Sequence, residues 1–208
     1  MCFCFGVFLL IAFVMWTLGV YFIDVQHIGP QGSSVGFATV NGFFHRLTGV
    51  HMLLYTVTDW LGIVPVCVAL CFAVLGLIQW IKRKNMLKVD YSILALGVFY
   101  VIVMVAYFLF ESIVINYRPV LINGYLETSY PSSTTLLVTC VMPTAILQLK
   151  SRIRNVVLRK LTVILVTAFT VFMVMGRLVS GVHWLSDIIG ALLLSIGLVM
   201  MYYSLSKL

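Results

Sequence analysis

Three short polar stretches stand out in a chain that is otherwise almost wholly apolar. Glu111 is followed by Asn116-Tyr117-Arg118-Pro119, and a second stretch reads Ser129-Tyr130-Pro131-Ser132-Ser133-Thr134-Thr135. A third runs from Arg177 through Ser180, Gly181, His183 and Trp184 to Asp187. His183 and Asp187 lie four residues apart where a helix is expected to begin, so their side chains share a face. A carboxylate beside an imidazole sets its tautomer and stabilises the cation that forms, which leaves the other ring nitrogen free to attack. Arg118 and Arg177 carry planar, permanently charged forks that match phosphate oxygens. Ser132, Ser133 and Thr134 stand at a helix start, where hydroxyls and free backbone N–H groups can converge on an anion. Together these groups read as a phosphoryl-transfer site that invokes no metal and no cofactor. Each has a plainer reading alone: interfacial arginines reaching for headgroups, a serine or threonine helix cap, a structural His–Asp hydrogen bond.

The elements that must position these residues are membrane helices. Hydrophobic residues make up 62% of the 208 positions and charged residues 9%, against about 25% charged in soluble domains. The mean hydropathy is +1.14. Six apolar blocks, each near the ~20 residues that cross a bilayer, fall at about 3–23, 60–81, 91–115, 134–149 (containing Pro143), 161–175 and 184–205. The fold class expected is all-α: one polytopic membrane domain over residues 1–208, with six transmembrane helices. The first block lacks a basic stretch ahead of it and a small-residue cleavage site, which marks a retained span and not a removed signal peptide.

Charge placement orients the bundle. The net charge is +7, but ten of the thirteen Lys and Arg sit in two loops and the C-terminal tail, a pattern of membrane topology and not of nucleic-acid binding. Lys82, Arg83, Lys84 and Lys88 precede the third block, and Lys150, Arg152, Arg154, Arg159 and Lys160 precede the fifth. Both loops and both termini are expected in the cytoplasm, and the three polar stretches together on the opposite face. Their shared side lets them converge. The loop 24–59 holds the Gly/Ser-rich run 29–34. Phe43, Phe44, Leu47, Val50 and Leu54 then recur at helical spacing, which predicts an amphipathic helix over about 37–55 lying on the outer interface as a lid. The five cysteines are not at ligand spacing from the four histidines and read as apolar filling.

The motif-bearing core, about 111–187, resembles the type 2 phosphatidic acid phosphatase family, which is related to vanadium haloperoxidases. That family carries K-x6-R-P, P-S-G-H and S-R-x5-H-x3-D. Arg118-Pro119 match the end of the first signature, Pro131-Ser132 the start of the second, and Arg177, His183 and Asp187 the third at full spacing. The resemblance implies a haloperoxidase-like bundle in which His183 attacks phosphorus and Asp187 orients it. Arg118, Arg177 and Ser132 would hold the phosphate oxygens, and water would release the group. The departures are Glu111 for the lysine, Thr134 for the histidine that protonates the leaving group, and Gly176 and Ser133 for the usual Ser and Gly. A positioned general acid is worth ~10²–10⁴ in rate, and a threonine hydroxyl is too weak an acid to replace it. Three explanations stand: a lipid diphosphate whose leaving phosphate needs no proton, a protonated Glu111 or Glu127 as acid, or a protein that binds phosphorylated lipids without turning them over. The expected function is a lipid phosphate or diphosphate phosphatase of a bacterial plasma membrane, with membrane lipids as partners. A lipid phosphotransferase and a non-catalytic lipid-binding protein are the alternatives.

Overall fold

A computed structural model describes residues 2–206 and contains eight α-helices and no named strand among them. In chain order these are α1 (Cys2–Phe22), α2 (Ala38–Thr48), α3 (Met52–Leu61), α4 (Ile63–Arg83), α5 (Tyr91–Ser112), α6 (Ser133–Arg152), α7 (Val156–Val179) and α8 (Leu185–Leu205). Six elements are long and apolar enough to cross a membrane, with α3 and α4 running on as one 32-residue element. The chain is an integral membrane protein of six spans. Side chains such as Phe8, Met15, Ile78, Val98 and Ile164 are exposed, as a lipid-facing surface requires.

The second span begins earlier than the apolar block suggests, at Met52 instead of Trp60, because a polar turn containing Asp59 interrupts the hydropathy without breaking the helix. Where the helical spacing predicts one helix over 37–55, the chain forms two, broken at Gly49-Val50-His51. Gly49 has φ +67°, a conformation that ends α2. Lys82, Arg83, Lys150 and Arg152 stand in the last turns of α4 and α6 instead of in loops, where cations complement the helix dipole. Lys207 lies outside the described residues.

The most buried span, α6, packs against α4, α5, α7 and α8. Surrounded by protein and not by lipid, it tolerates polar residues: Thr139 and Thr144 hydroxyls donate to carbonyls one turn back, at 2.5 and 2.9 Å. Gln148 donates to the Tyr202 hydroxyl at 2.7 Å and to the Ser92 carbonyl at 3.1 Å. The α1–α8 pair is close because glycines meet there; a Cβ on Gly6 would come within 3.0 Å of the Gly197 carbonyl oxygen.

Direct contacts identify the two ends of the bundle. Asp90 bridges Arg83 at 2.9 Å and Arg152 at 4.0 Å, which brings the two basic segments to one end. The Gly6–Met201 contact and the Gln148–Tyr202 bond carry the start of α1 and the end of α8 to that same end. The polar stretches gather at the other. There Ser132 N–H donates to the Asp187 carbonyl at 3.2 Å, and the Trp16 indole N–H donates to the Ser186 carbonyl at 3.0 Å.

The loop before His183 depends on one backbone crossing. Gly181 has φ +69°, and a Cβ there would lie 1.9 Å from the Gly49 carbonyl oxygen, while His51 N–H donates to the Ser180 carbonyl at 2.9 Å. Both the left-handed backbone and the missing side chain are needed. Gly181→Ala is therefore expected to destabilise the protein by about 1–3 kcal/mol, read as a lowered thermal midpoint in detergent. Gly97→Ala, with open space around the added methyl, should leave the midpoint unchanged or slightly raised.

Candidate active site

Local folding brings each segment to one place. Residues 116–129 double back through Asn123-Gly124, both at positive φ (51° and 82°), with Ile122 and Tyr125 exchanging backbone hydrogen bonds at 3.0 and 2.9 Å. Asn-Gly suits this tight turn because both positions need φ > 0. The fold-back pairs Arg118 N–H with the Glu127 carbonyl at 2.9 Å and sets the two side chains alongside. A buried polar junction then locks this segment to α2 and α8. Asn41 donates to the Gly36 carbonyl (2.7 Å) and the Ser186 hydroxyl (2.9 Å) and accepts from Ser186 N–H (3.1 Å), and Asn116 accepts from Gly36 N–H (3.1 Å).

The centre is one imidazole and two guanidiniums. His183 Nε2 lies 3.2 Å from Arg118 and 3.5 Å from Arg177. A guanidinium has no lone pair to offer, so Nε2 is the acceptor and the ring hydrogen sits on Nδ1. Nδ1 faces Asp187 Oδ2 at 3.6 Å. That separation is electrostatic contact and not a hydrogen bond, and the aspartate's nearer partner is Trp184 N–H at 2.9 Å. His183 and Asp187 are 4% and 0% exposed. Burial first, and then the neighbouring Arg118 and Arg177 charges, hold the His183 imidazole well below its ordinary range, so it rests neutral; the Ser129 backbone opposes this least strongly.

A cavity of about 320 Å³ opens in front of the guanidiniums, bordered by Arg118, Arg177, Glu111, Glu127, Ser133 and Thr134. It is also bordered by Tyr55, Asp59 and Tyr107, which the sequence reading leaves out. A second hollow, about 350 Å³, lies by His45, Arg46 and Trp184 and contains none of the clustered groups. Of the residues expected at the site, Ser132, His183 and Asp187 do not border the cavity; Ser132 is fully buried with its hydroxyl unpartnered. The Nε atoms of Arg118 and Arg177 and His183 Nδ1 are likewise buried without a hydrogen-bond partner.

The two arginines are held by α3 and the fold-back. Arg177, 1% exposed, pairs with Asp59 at 3.3 Å and stacks on the Tyr55 ring at 4.8 Å. Arg118 lies 5.8 Å from the same ring and 3.0 Å from Glu127 through Nε, an ion pair without an aligned hydrogen bond. Asp59 carried a usable signal: an acidic residue inside a long apolar helix is costly and marks function by default. Tyr55, one turn earlier, had no signal of its own.

The model of the PAP2 superfamily matches residues 92–207, more than half of the chain. The chain belongs to the PAP2 superfamily. The fold is similar to the crystal structure described as the first transmembrane PAP2 type phosphatidylglycerolphosphate phosphatase from Bacillus subtilis. The TM-score is 0.61 and the identity 16%, over 97% of this chain and 96% of that one. No curated protein matches the sequence. Membership of this family supports a membrane lipid phosphatase as the coarse, family-level reading of the chain.

One departure from the PAP2 pattern has a steric cause. A Cβ at Gly176 would lie 2.6 Å from Thr58 Cγ2, so α3 crosses where the family carries a serine. That crossing delivers Tyr55 and Asp59 to the cavity. Gly62, the residue that follows α3, lies beside the Thr134 methyl, 3.6 Å from where a Cβ would stand.

The neutral imidazole has a measurable consequence. Because the charged form is disfavoured, His183 should titrate below the ordinary value of 6.5, and the ring should stay neutral as pH falls through that value. Arg118→Ala removes one opposing charge, so the midpoint should rise toward 6.5. Histidine ¹⁵N NMR on the detergent-solubilised protein reads both, and an unchanged midpoint in the variant would count against the arginine contribution.

Proposed function

We propose that the protein hydrolyses a lipid phosphate through a phosphohistidine at His183, with the site facing away from the cytoplasm. The single observation that supports this best is the set of buried donors without acceptors around one neutral imidazole. Ser132 Oγ and Arg177 Nε have no hydrogen-bond partner, and Arg118 Nε meets Glu127 only as an ion pair; buried polar groups of this kind ordinarily find a hydrogen-bond partner. A phosphate offers several acceptor oxygens at once. The positive-inside pattern, with basic segments at the far end of the bundle, supports the outward orientation.

In the proposed reaction the phosphate oxygens take the guanidinium donors away from His183 Nε2. The freed lone pair attacks phosphorus, the bond to the lipid oxygen breaks, and Asp187 steadies the imidazolium that results. Water then attacks the phosphorus of the P–N bond, which gives inorganic phosphate and restores the imidazole. Thr134 borders the cavity where the family carries its acid, so the leaving oxygen departs without a histidine to protonate it. That favours substrates whose leaving group is already stable, and disfavours simple alkyl phosphates by up to the ~10²–10⁴ a general acid supplies.

Two measurements test the reading. His183→Ala should lower phosphate release by about 10³-fold or more, the scale of deleting a covalent nucleophile, and a rapid base quench of the wild type should trap an acid-labile adduct on His183. Across a lipid panel, an isoprenyl diphosphate should be hydrolysed faster than phosphatidic acid; the reverse order would reject the leaving-group argument.

A further inference from the structure

The hollow beside Trp184 is a second feature at the same end of the bundle, and the chemistry at His183 does not use it. About 350 Å³ in volume, it is bordered chiefly by Gln26, Thr39, Gly42, His45, Arg46 and Trp184. Burial holds the His45 imidazole below its ordinary range, so the ring rests neutral and Arg46 is the one charged side chain on the border. Asp24 does not border the hollow, and its carboxylate is engaged elsewhere: it accepts from the Gln26 amide at 2.6 Å and from Thr39 N–H at 2.7 Å. Arg46 has no ion-pair partner among the described residues. A Cβ at Gly42 would lie 3.4 Å from Arg46 Nη1, so the missing side chain keeps room for the guanidinium. The hollow suits an anion.

The surface around it says which anion. Ala38, Asn41 and Gly42 of α2 are buried, whereas Val40, Phe43 and Leu47 are 54, 61 and 70% exposed. These three recur at helical spacing and form one apolar stripe. A helix outside the six spans that exposes such a stripe at the end of the bundle lies in the membrane interface, stripe toward the acyl chains. Arg46, next to Leu47 in the chain, then sits at the level of the lipid phosphates. Free phosphate would use the arginine and leave the stripe without a role; a phospholipid uses both. With no carboxylate on the border, the hollow offers nothing to a choline or ethanolamine ammonium. A headgroup of net negative charge fits it best.

We infer that this hollow binds the phosphodiester of an anionic phospholipid of the surrounding leaflet, with Arg46 as its charged ligand and the α2 stripe against its chains, and that the bound lipid braces the loop carrying His183. The brace runs through Trp184. Its ring borders the hollow, its backbone N–H donates to Asp187 Oδ2 at 2.9 Å, and its indole N–H donates to the Tyr117 carbonyl at 2.7 Å, next to Arg118. The same helix α2 reaches α8 through the Asn41 amide, which donates to the Ser186 hydroxyl at 2.9 Å. A lipid seated between Arg46 and Trp184 therefore resists opening of both segments. It is a resident ligand and not a substrate.

Hydrogen exchange on the whole chain tests this in nanodiscs of phosphatidylcholine, with and without phosphatidylglycerol, whose headgroup is anionic and has no ammonium. Peptides within 36–48 and 181–188 should exchange about tenfold more slowly when phosphatidylglycerol is present, the effect of a ligand at roughly ten times its Kd. Arg46→Gln should abolish that protection, and Arg46→Lys, which keeps the charge, should retain most of it. The basic segments 82–88 and 150–160, where anionic lipid also gathers, should stay protected in both variants and show that they are folded and embedded. Equal exchange of 36–48 in the two membranes overturns the site, as does protection that survives Arg46→Gln. Protection of 36–48 without 181–188 overturns the brace. Equal slowing by sodium phosphate in pure phosphatidylcholine discs overturns the lipid as occupant in favour of a free anion.

Discussion

Two guanidiniums buried against one imidazole nitrogen are the constraint on which the rest of this structure depends. Arg118 and Arg177 approach His183 Nε2 to 3.2 and 3.5 Å, and a buried charge without compensation is among the most costly features a protein can hold. The compensation is built from elements far apart in the chain. Asp59 and Tyr55 come from α3, Glu127 from the fold-back at Asn123-Gly124, and the imidazole from the loop before α8. The guanidiniums are the buried members of these pairs, while Asp59 and Glu127 are about half exposed, so losing a carboxylate leaves a buried arginine stranded.

That demand explains features that otherwise look like poor membrane design. The helix α6 is the least apolar of the six spans, yet it is the most buried by protein, so its threonines and Gln148 meet partners instead of lipid. The Asn41–Asn116–Ser186 junction is fully hydrogen-bonded and buried. A satisfied polar network of this kind specifies one arrangement of the segments it joins. Glycines at 36, 176 and 181 let backbones cross at distances a side chain would forbid. The frame is thus rigid where the arginines need it, at the end of the bundle away from the basic segments.

The spans were legible because lipid imposes a simple rule: about 20 apolar residues in a row, with lysines and arginines kept to one side. The juxtaposition of Arg118, Arg177, His183 and Asp187 was legible from motif spacing, and Glu111, Glu127, Ser133 and Thr134 all border the same cavity. What spacing does not encode is tertiary crossing. Tyr55 and Asp59 lie more than a hundred residues before Arg177, and only the packing of Thr58 on Gly176 brings them in. Periodicity also failed across 37–55, since a hydrophobic repeat runs through Gly49 while the backbone there turns away from the helix.

The carboxylates give the site its resting logic. Asp59 and Glu127 lie where phosphate oxygens would compete for the same arginines, so each is an internal anion that a substrate must match or displace. A single carboxylate meets one guanidinium, whereas a phosphate offers oxygens to both guanidiniums at once. In the proposed reaction, exchange favours the ligand that spans both, and the Nε2 lone pair is uncovered only when that ligand is in place. Water, which cannot neutralise two guanidiniums, gains nothing comparable. On that proposal, coupling the release of His183 to phosphate binding would make the arginines guards as well as ligands, and the carboxylates would have to lie close by without being catalytic themselves.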